Sequence, residues 1–363
     1  MARILVSPLN WGLGHATRDI PIIKELLRHG HEVTIAGEGR CVSLLKKEFP
    51  EAEHLRFPDY PSPYTASRHF LPKITSMLPK LFAAFKDERL RFEALQRKRK
   101  FDMVISDNRF GVAAKDAPSF FISHQLRYAT PWYLPVETAT AAFNATFHKR
   151  FTGIIVPDAP GSILSGRLSK NPITPKGKVH FAGILTSIER HDVRQDIDYL
   201  VAISGPEPQR TILEKRMREQ LPSLSGKTVM LLARPDIPSK TERVEHDVGG
   251  ATIMTHASRD EMSRLMCRAK FIVTRSGYTT MMELAELRKR KGIFTPTPGQ
   301  TEQEYLSMYY RRKGWFLSRD QDRLDLSKDI DEARKYKGFP TLPGSAKNAR
   351  KLYDDVLGPS LRR

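Results

Sequence analysis

Short apolar runs alternate with amphipathic stretches along the first half of this chain. Arg3–Leu9 is a nearly unbroken apolar run and is predicted as a strand. From Thr17 to Arg28, Ile20, Ile23, Leu26 and Leu27 share one helical face. Gly30 ends that helix, and Glu32–Ala36 reads as the next strand. A strand–helix–strand opening predicts a parallel sheet. Further strands are predicted at Phe101–Ser106, Ser119–Ser123, Gly153–Val156 and Val179–Ala182, and a helix at Glu137–Arg150. Between Ser67 and Lys100, Leu71, Ile74, Leu78, Leu81, Phe82 and Phe85 recur at helical spacing, with Pro72 and Pro79 interrupting. Pro157–Lys178 is rich in Gly, Pro and Ser and is predicted as a long surface loop.

Thr186–Asp198 is polar, charged and without a period, as expected of a linker. Beyond it the alternation resumes. Strands are predicted at Tyr199–Ile203, Thr228–Leu232, Ala251–Thr255, Phe271–Thr274 and Gly292–Thr295. Helices are predicted at Tyr278–Arg288, Glu302–Arg311 and Ala346–Val356. The expected organisation is an α/β domain over residues 1–185, a linker over 186–198 and a second α/β domain over 199–345. The helix in 346–363 is expected to cross back to the first domain.

Open α/β sheets bind ligands beyond the carboxyl ends of their strands. The loop after the first strand reads N-W-G-L-G-H-A-T-R. Gly12 and Gly14 supply G-x-G, but Thr17 stands where a dinucleotide fingerprint has its third glycine; Glu38 is the acid that such a reading would use. His15 stands at the helix head, with Arg18 one turn on. Asp107 and His124 follow two later strands, and a carboxylate and an imidazole near a reacting hydroxyl suit general-base chemistry. Each also has a structural reading: His15 and Asp107 as helix caps, His124 as a backbone partner. After Phe271–Thr274, Ser276 and Gly277 open a helix whose amides form an anion site. Thr279 and Thr280 add hydroxyls there. Glu283, further along, suits a diol such as a ribose. Gln300, Gln303 and Glu304 suit sugar hydroxyls. Ser204 and Gly205 begin a turn that also holds two prolines.

The order R-S-G, a Glu six residues after the Gly, then P-x-P-x-x-x-x-Q-E-Y, resembles the donor site of GT-B glycosyltransferases, most of all the family-28 enzymes related to MurG. G-x-G-H-x-x-R is similar to the first loop of such enzymes, which lies under the donor diphosphate and the reacting carbon. The resemblance implies a GT-B fold, with two Rossmann-like domains whose parallel sheets face an interdomain cleft. It implies that Glu283 holds the donor ribose and that Gln303 and Glu304 face the donor sugar. It places Gly12, Gly14, Arg18, Ser204, Gly205, Ser276, Gly277, Thr279, Thr280 and Gln300 around the donor. His15, Asp107 and His124 become the catalytic candidates. It further implies inverting transfer of GlcNAc or another hexose from a UDP-linked donor to an acceptor that is lipid-linked or a glycan; helix termini at Gly14, Gly205 and Gly277 are expected to stabilise the leaving diphosphate, so no metal and no cofactor is expected. The chain departs from the pattern at three places. Glu304 replaces the second Gln, Gln125 replaces a Glu, and the turn at Ser204–Arg210 has a single Gly.

Composition adds two constraints. A net charge of +19 and a pI near 9.9 predict an anionic partner. Residues 67–100 carry ten Lys/Arg against three Asp/Glu. That segment reads either as a core helix with a solvated basic face or as a helix lying on an anionic membrane. No nucleic-acid motif accompanies the charge, so nucleic acid is not an expected partner. Cys41 and Cys267 lack metal-ligand spacing, and a reducing cytoplasmic setting is expected, peripheral to a membrane if the basic helix docks there. No signal-peptide pattern is read at the N-terminus. The competing functional readings are a sugar-nucleotide 2-epimerase, an NAD(P)-dependent oxidoreductase and a nucleic-acid-binding protein.

Overall fold

The computed structural model describes all residues except 61–69, 130–133, 235–237, 247–248 and 363. Two units divide the chain. Met1–Pro63, Leu71–Ser187 and Leu342–Arg363 belong to the first, and Ile188–Thr341 to the second.

The first unit contains β1 (Arg3–Pro8), α1 (Leu13–Arg28), β2 (Glu32–Gly37), α2 (Gly39–Glu48), β3 (Glu53–Arg56), α3 (Phe70–Arg99), β4 (Met103–Asp107), β5 (Ser119–Ile122), α4 (Leu134–His148), β6 (Gly153–Val156) and β7 (Val179–Phe181). The seven strands lie in the order β3-β2-β1-β4-β5-β6-β7, all parallel. The unbroken apolar runs follow from a sheet covered on both faces. Ile4, Val6, Ile105 and Ile122 pack on the face that also holds α1 and α2. The alternate residues Leu5 and Val104 pack with Phe92 of α3 on the other.

The second unit contains β8 (Ile197–Ala202), α5 (Gln209–Gln220), β9 (Thr228–Leu231), β10 (Thr241–His246), β11 (Gly249–Met254), α6 (Arg259–Arg268), β12 (Ala269–Thr274), α7 (Tyr278–Glu286), β13 (Gly292–Phe294), α8 (Thr301–Arg312), β14 (Leu317–Ser318) and α9 (Leu326–Ala333). Its strand order is β10-β11-β9-β8-β12-β13-β14. The β10–β11 pair is antiparallel and the other pairs are parallel. In both units the strand order reverses beside the first strand, between β1 and β4 and between β8 and β12. Such switch points are where open α/β sheets leave a crevice.

The chain ends with α10 (Ser345–Leu352), a π-turn over Tyr353–Leu357 and α11 (Gly358–Leu361). Ala349, Leu352, Tyr353 and Leu357 join the α1 side of the first core. The Tyr353 ring stacks on His29 at 3.7 Å, and its hydroxyl lies 2.8 Å from His31 Nε2.

Two expectations are corrected. The stretch 157–178 is only in part a surface loop: Asp158, Leu164, Ser165 and Leu168 are fully buried, while 170–177 is mostly exposed. The Asp158 carboxylate accepts from the backbone N–H groups of Ala159, Leu164 and Ser165 and from the Ser165 hydroxyl, at 2.6–3.1 Å. One ionised side chain thus satisfies a backbone that forms no sheet, which lets the segment sit inside. Nor do the prolines interrupt the basic stretch. Helix α3 continues through Pro79, and its buried stripe is Leu81, Phe85, Glu88, Phe92 and Gln96. Ser67 lies outside the described residues.

Candidate active site

The loop after β1 is fixed from below. Asn10 donates its N–H to Asp59 Oδ1 (3.3 Å) and accepts from the Cys41 N–H (3.1 Å). Gly39, at φ +70°, passes so close to Asn10 that a Cβ would fall 2.0 Å from the amide nitrogen. α1 begins at Leu13, so His15 lies in its first turn. Gly12 has extended backbone and open space where a side chain would stand. It is therefore open to a ligand rather than sterically required.

Asp107 ends β4 in the strand adjoining β1 and is fully buried. His15 Nδ1 lies 2.8 Å from its Oδ1. Arg18 donates Nε–H to Oδ2 at 2.6 Å and Nη2–H to Oδ1. Burial pushes the Asp107 carboxyl up, but Arg18 and His15 outweigh it and hold the group at about 2. An ionised Asp107 can only accept, so a proton on His15 Nδ1 satisfies it, while Arg18 Nη2–H, which can only donate, lies 2.8 Å from the same nitrogen. With the proton on Nδ1, Nε2 carries a lone pair and has no protein partner among the described residues. Burial, with help from Arg18 and His124, lowers the His15 pKa against the pull of Asp107. The result is a neutral imidazole with its acceptor nitrogen free, the form a general base requires. His124, just past β5, lies with Nδ1 3.4 Å from Arg18 Nη1. The structure therefore brings His15, Arg18, Asp107 and His124 into one cluster. Arg18, expected at the donor, is buried and given to Asp107; it acts on the carboxylate.

In the second unit, β12 leads into Arg275, Ser276 and the N-cap Gly277 of α7. Arg275 is buried and donates to the carbonyls of Ser204, Gln209, Thr295 and Pro296 and to Gln321 Oε1. It pins together the loops after β8, β12 and β13. Ser276 is also buried, and its hydroxyl donates to the Gln303 carbonyl at 2.8 Å, so it ties the loop after β12 to α8 and is not a free donor. Gly277 has open space above it, and Thr279 and Thr280 are half-buried with hydroxyls that have no protein partner among the described residues. Glu283 is half-buried, and its carboxyl likewise has no partner among the described residues; burial raises it to about 7. Gln303 accepts from the Thr297 N–H (2.9 Å) and donates to Gln300, and Glu304 accepts from the Gly299 N–H (2.8 Å). These two side chains thus brace the loop that was expected to face a sugar. Gly205, at φ +110°, lies against Thr297 and Arg275. It stands ahead of α5, whose N-cap is Pro208, so its amide is not at a helix terminus. Arg210 and Gln209, at the end of the same turn, are engaged with Glu207 and Glu214 and with Arg275 and Gln321.

Two site residues escaped the sequence reading. Arg275 was read only as the first letter of a motif. Asp19, fully buried beside the dyad, carried a signal that was there to be used: an acid directly before Ile20, with the apolar stripe running on to Ile23.

No family model and no curated protein matches this sequence. Solved structures do. The glycotransferase of kitacinnamycin superposes with a TM-score of 0.62 at 14% identity, covering 99% of this chain and 95% of its own. Spinosyn rhamnosyltransferase SpnG gives 0.61 at 14%, covering 98% and 96%. MurG of Acinetobacter baumannii gives 0.56 at 11%, covering 99% and 100%. The fold is GT-B. The likeness extends over essentially the whole length of each chain, so the expected fold class holds in both halves. SpnG has also been solved with thymidine diphosphate and with spinosyn aglycone. Among the described residues no helix is long and apolar enough to cross a membrane.

Proposed function

We propose that this GT-B protein is a glycosyltransferase that moves a sugar from a UDP-linked donor to an acceptor hydroxyl, with inversion and without a metal. The observation that carries the reading is the His15–Asp107 pair, with its free Nε2, at the switch point of the first unit. The thymidine diphosphate and aglycone complexes of SpnG support a nucleotide-linked donor and a separate acceptor.

His15 Nε2 takes the proton of the acceptor hydroxyl as its oxygen attacks the anomeric carbon. The bond from that carbon to the diphosphate breaks, and the nucleoside diphosphate leaves with the electron pair. Asp107 stabilises the imidazolium that forms. The α7 amides, with Thr279 and Thr280, take the charge of the leaving group. Glu283 accepts from the ribose hydroxyls, and Gln300 presents its amide to the sugar. Gly12 and Gly14 leave room at the diphosphate, and His124 flanks the base.

The acceptor is proposed to be lipid-linked or a glycan. Phe82 and Leu90 of α3 are 48% and 56% exposed on a helix rich in Lys and Arg. This pairing suits a protein that works at an anionic membrane face.

The test is a thermal-shift panel of nucleotide sugars, followed by transfer assays on the binders. UDP-sugar stabilisation with acceptor-dependent release of UDP supports the reading. Epimerised nucleotide sugar formed without acceptor would replace it with the 2-epimerase. Binding of DNA, or reduction of NAD(P), with no nucleotide-sugar shift would overturn it.

A further inference from the structure

One buried acid takes no part in the transfer steps above. Asp19 follows Arg18 on α1 and is 0% exposed. Neither of its carboxyl oxygens meets a hydrogen-bond donor among the described residues; the side chain beside it is the Asp107 carboxylate, which can only accept. Its charged surroundings are Asp107 from β4 and Arg18 from its own helix. His15 lies one turn earlier on α1, and His124, past β5, reaches Arg18. Cys41 of α2 also faces it, as a thiol that burial pushes up to about 12 and which therefore stays neutral.

The cluster thus contains two buried carboxyls and one guanidinium. Arg18 gives its donors to Asp107. An ionised Asp19 would be a buried charge without a donor, beside a second anion, which is among the costliest arrangements in a protein interior. A protonated Asp19 has no such cost, and its O–H has an anionic acceptor close by in Asp107. Burial and the charge on Asp107 both raise its pKa well above the ordinary carboxyl value.

We propose that Asp19 is a positioning residue that keeps its proton throughout turnover and offers it to Asp107. Asp107 and Arg18 then cancel, Asp19 adds no charge, and His15 is the member whose charge changes when the acceptor proton arrives. The proton on Asp19 also spreads the negative charge of Asp107, which keeps His15 from becoming too basic to be neutral at physiological pH. This role rests on the reading of His15 as the base, but the proton itself can be observed without any turnover.

The test uses the full-length protein and two variants. Asp19→Asn keeps a neutral side chain with a donor. Asp19→Leu keeps the volume and removes the donor. Infrared difference spectra of wild type minus Asp19→Asn should show a protonated carboxyl band that persists at neutral pH; its absence would overturn the proposal even if no substrate had been found. In transfer assays, Asp19→Asn should keep kcat within about 3-fold and leave the acid limb of kcat/KM where it is. Asp19→Leu should lower kcat by ~10-fold or more and move that limb to higher pH, because Asp107 then bears its full charge against His15. The same limb for all three proteins, or a loss in Asp19→Asn as large as in Asp19→Leu, would sink it. A merely structural role would lower the melting temperature of both variants without moving the limb.

Discussion

His15 needs an ionised partner on one nitrogen and nothing on the other, and the structure meets both conditions. Replacing it with Ala should lower kcat by ~100-fold or more and leave nucleotide affinity intact, as read by titration calorimetry. Its depressed pKa sets the sign of the pH profile. The base is free above its pKa and lost below it, so kcat/KM should hold down to pH values under 6.5, the ordinary value for His, and fall only beneath that. Asp107→Asn should cost more than orientation. It favours the wrong imidazole tautomer and leaves Arg18 buried without its counter-charge, so a loss of roughly 3–5 kcal/mol in stability should accompany the loss of rate. Glu283 behaves in the opposite sense. Its folded pKa of about 7 lies above the usual 4.5, so the native state holds more protons than the unfolded chain between those values. Stability should therefore decline as pH rises through that window. Glu283→Gln should remove the decline, raising the melting temperature at pH 8, while weakening UDP-sugar binding by about 10-fold.

At the scale of elements, the donor groups are arranged by one buried cation. Arg275 meets four carbonyls and Gln321 from three loops. Lys cannot reproduce that planar fork. Both Arg275→Ala and Arg275→Lys should lower the melting temperature, and both should weaken nucleotide binding at least 10-fold, since Gly205, Gly277 and the 295–300 loop would lose their common anchor. A drop in stability with unchanged nucleotide affinity would show that these loops do not carry the donor. The Asp158 turn is the first unit's counterpart. Asp158→Ala strands several buried N–H groups, each costing about 1–3 kcal/mol, and should unfold the first unit at a lower urea concentration.

For the molecule as a whole, the C-terminal helices belong to the first core although the second unit precedes them in the chain. Deleting residues 345–363 removes Leu352 and Leu357, worth about 1.5–3 kcal/mol each when buried, along with the stack of Tyr353 on His29. The truncated chain should lose its first-unit unfolding transition while UDP still shifts the melting of the second. What the sequence by itself determined is the order of strands and helices. It also determined that His15, Asp107, His124, Ser204 and Gly277 stand near strand ends. Those properties are set by local period, run length and turn residues, and a single chain displays them. Missed were the short β3, β10 and β14, whose runs are too brief or too polar to stand out, and the helices α2, α5 and α9. Only the tertiary structure decided that Asp107 meets His15 across 92 positions, that Arg18 faces the carboxylate, and that Ser276, Gln303 and Glu304 hold loops. It alone put Asp158 and Asp19 inside. Those outcomes depend on which strands become neighbours and on what each buried polar group must find there, and neither is written in the spacing of residues along the chain.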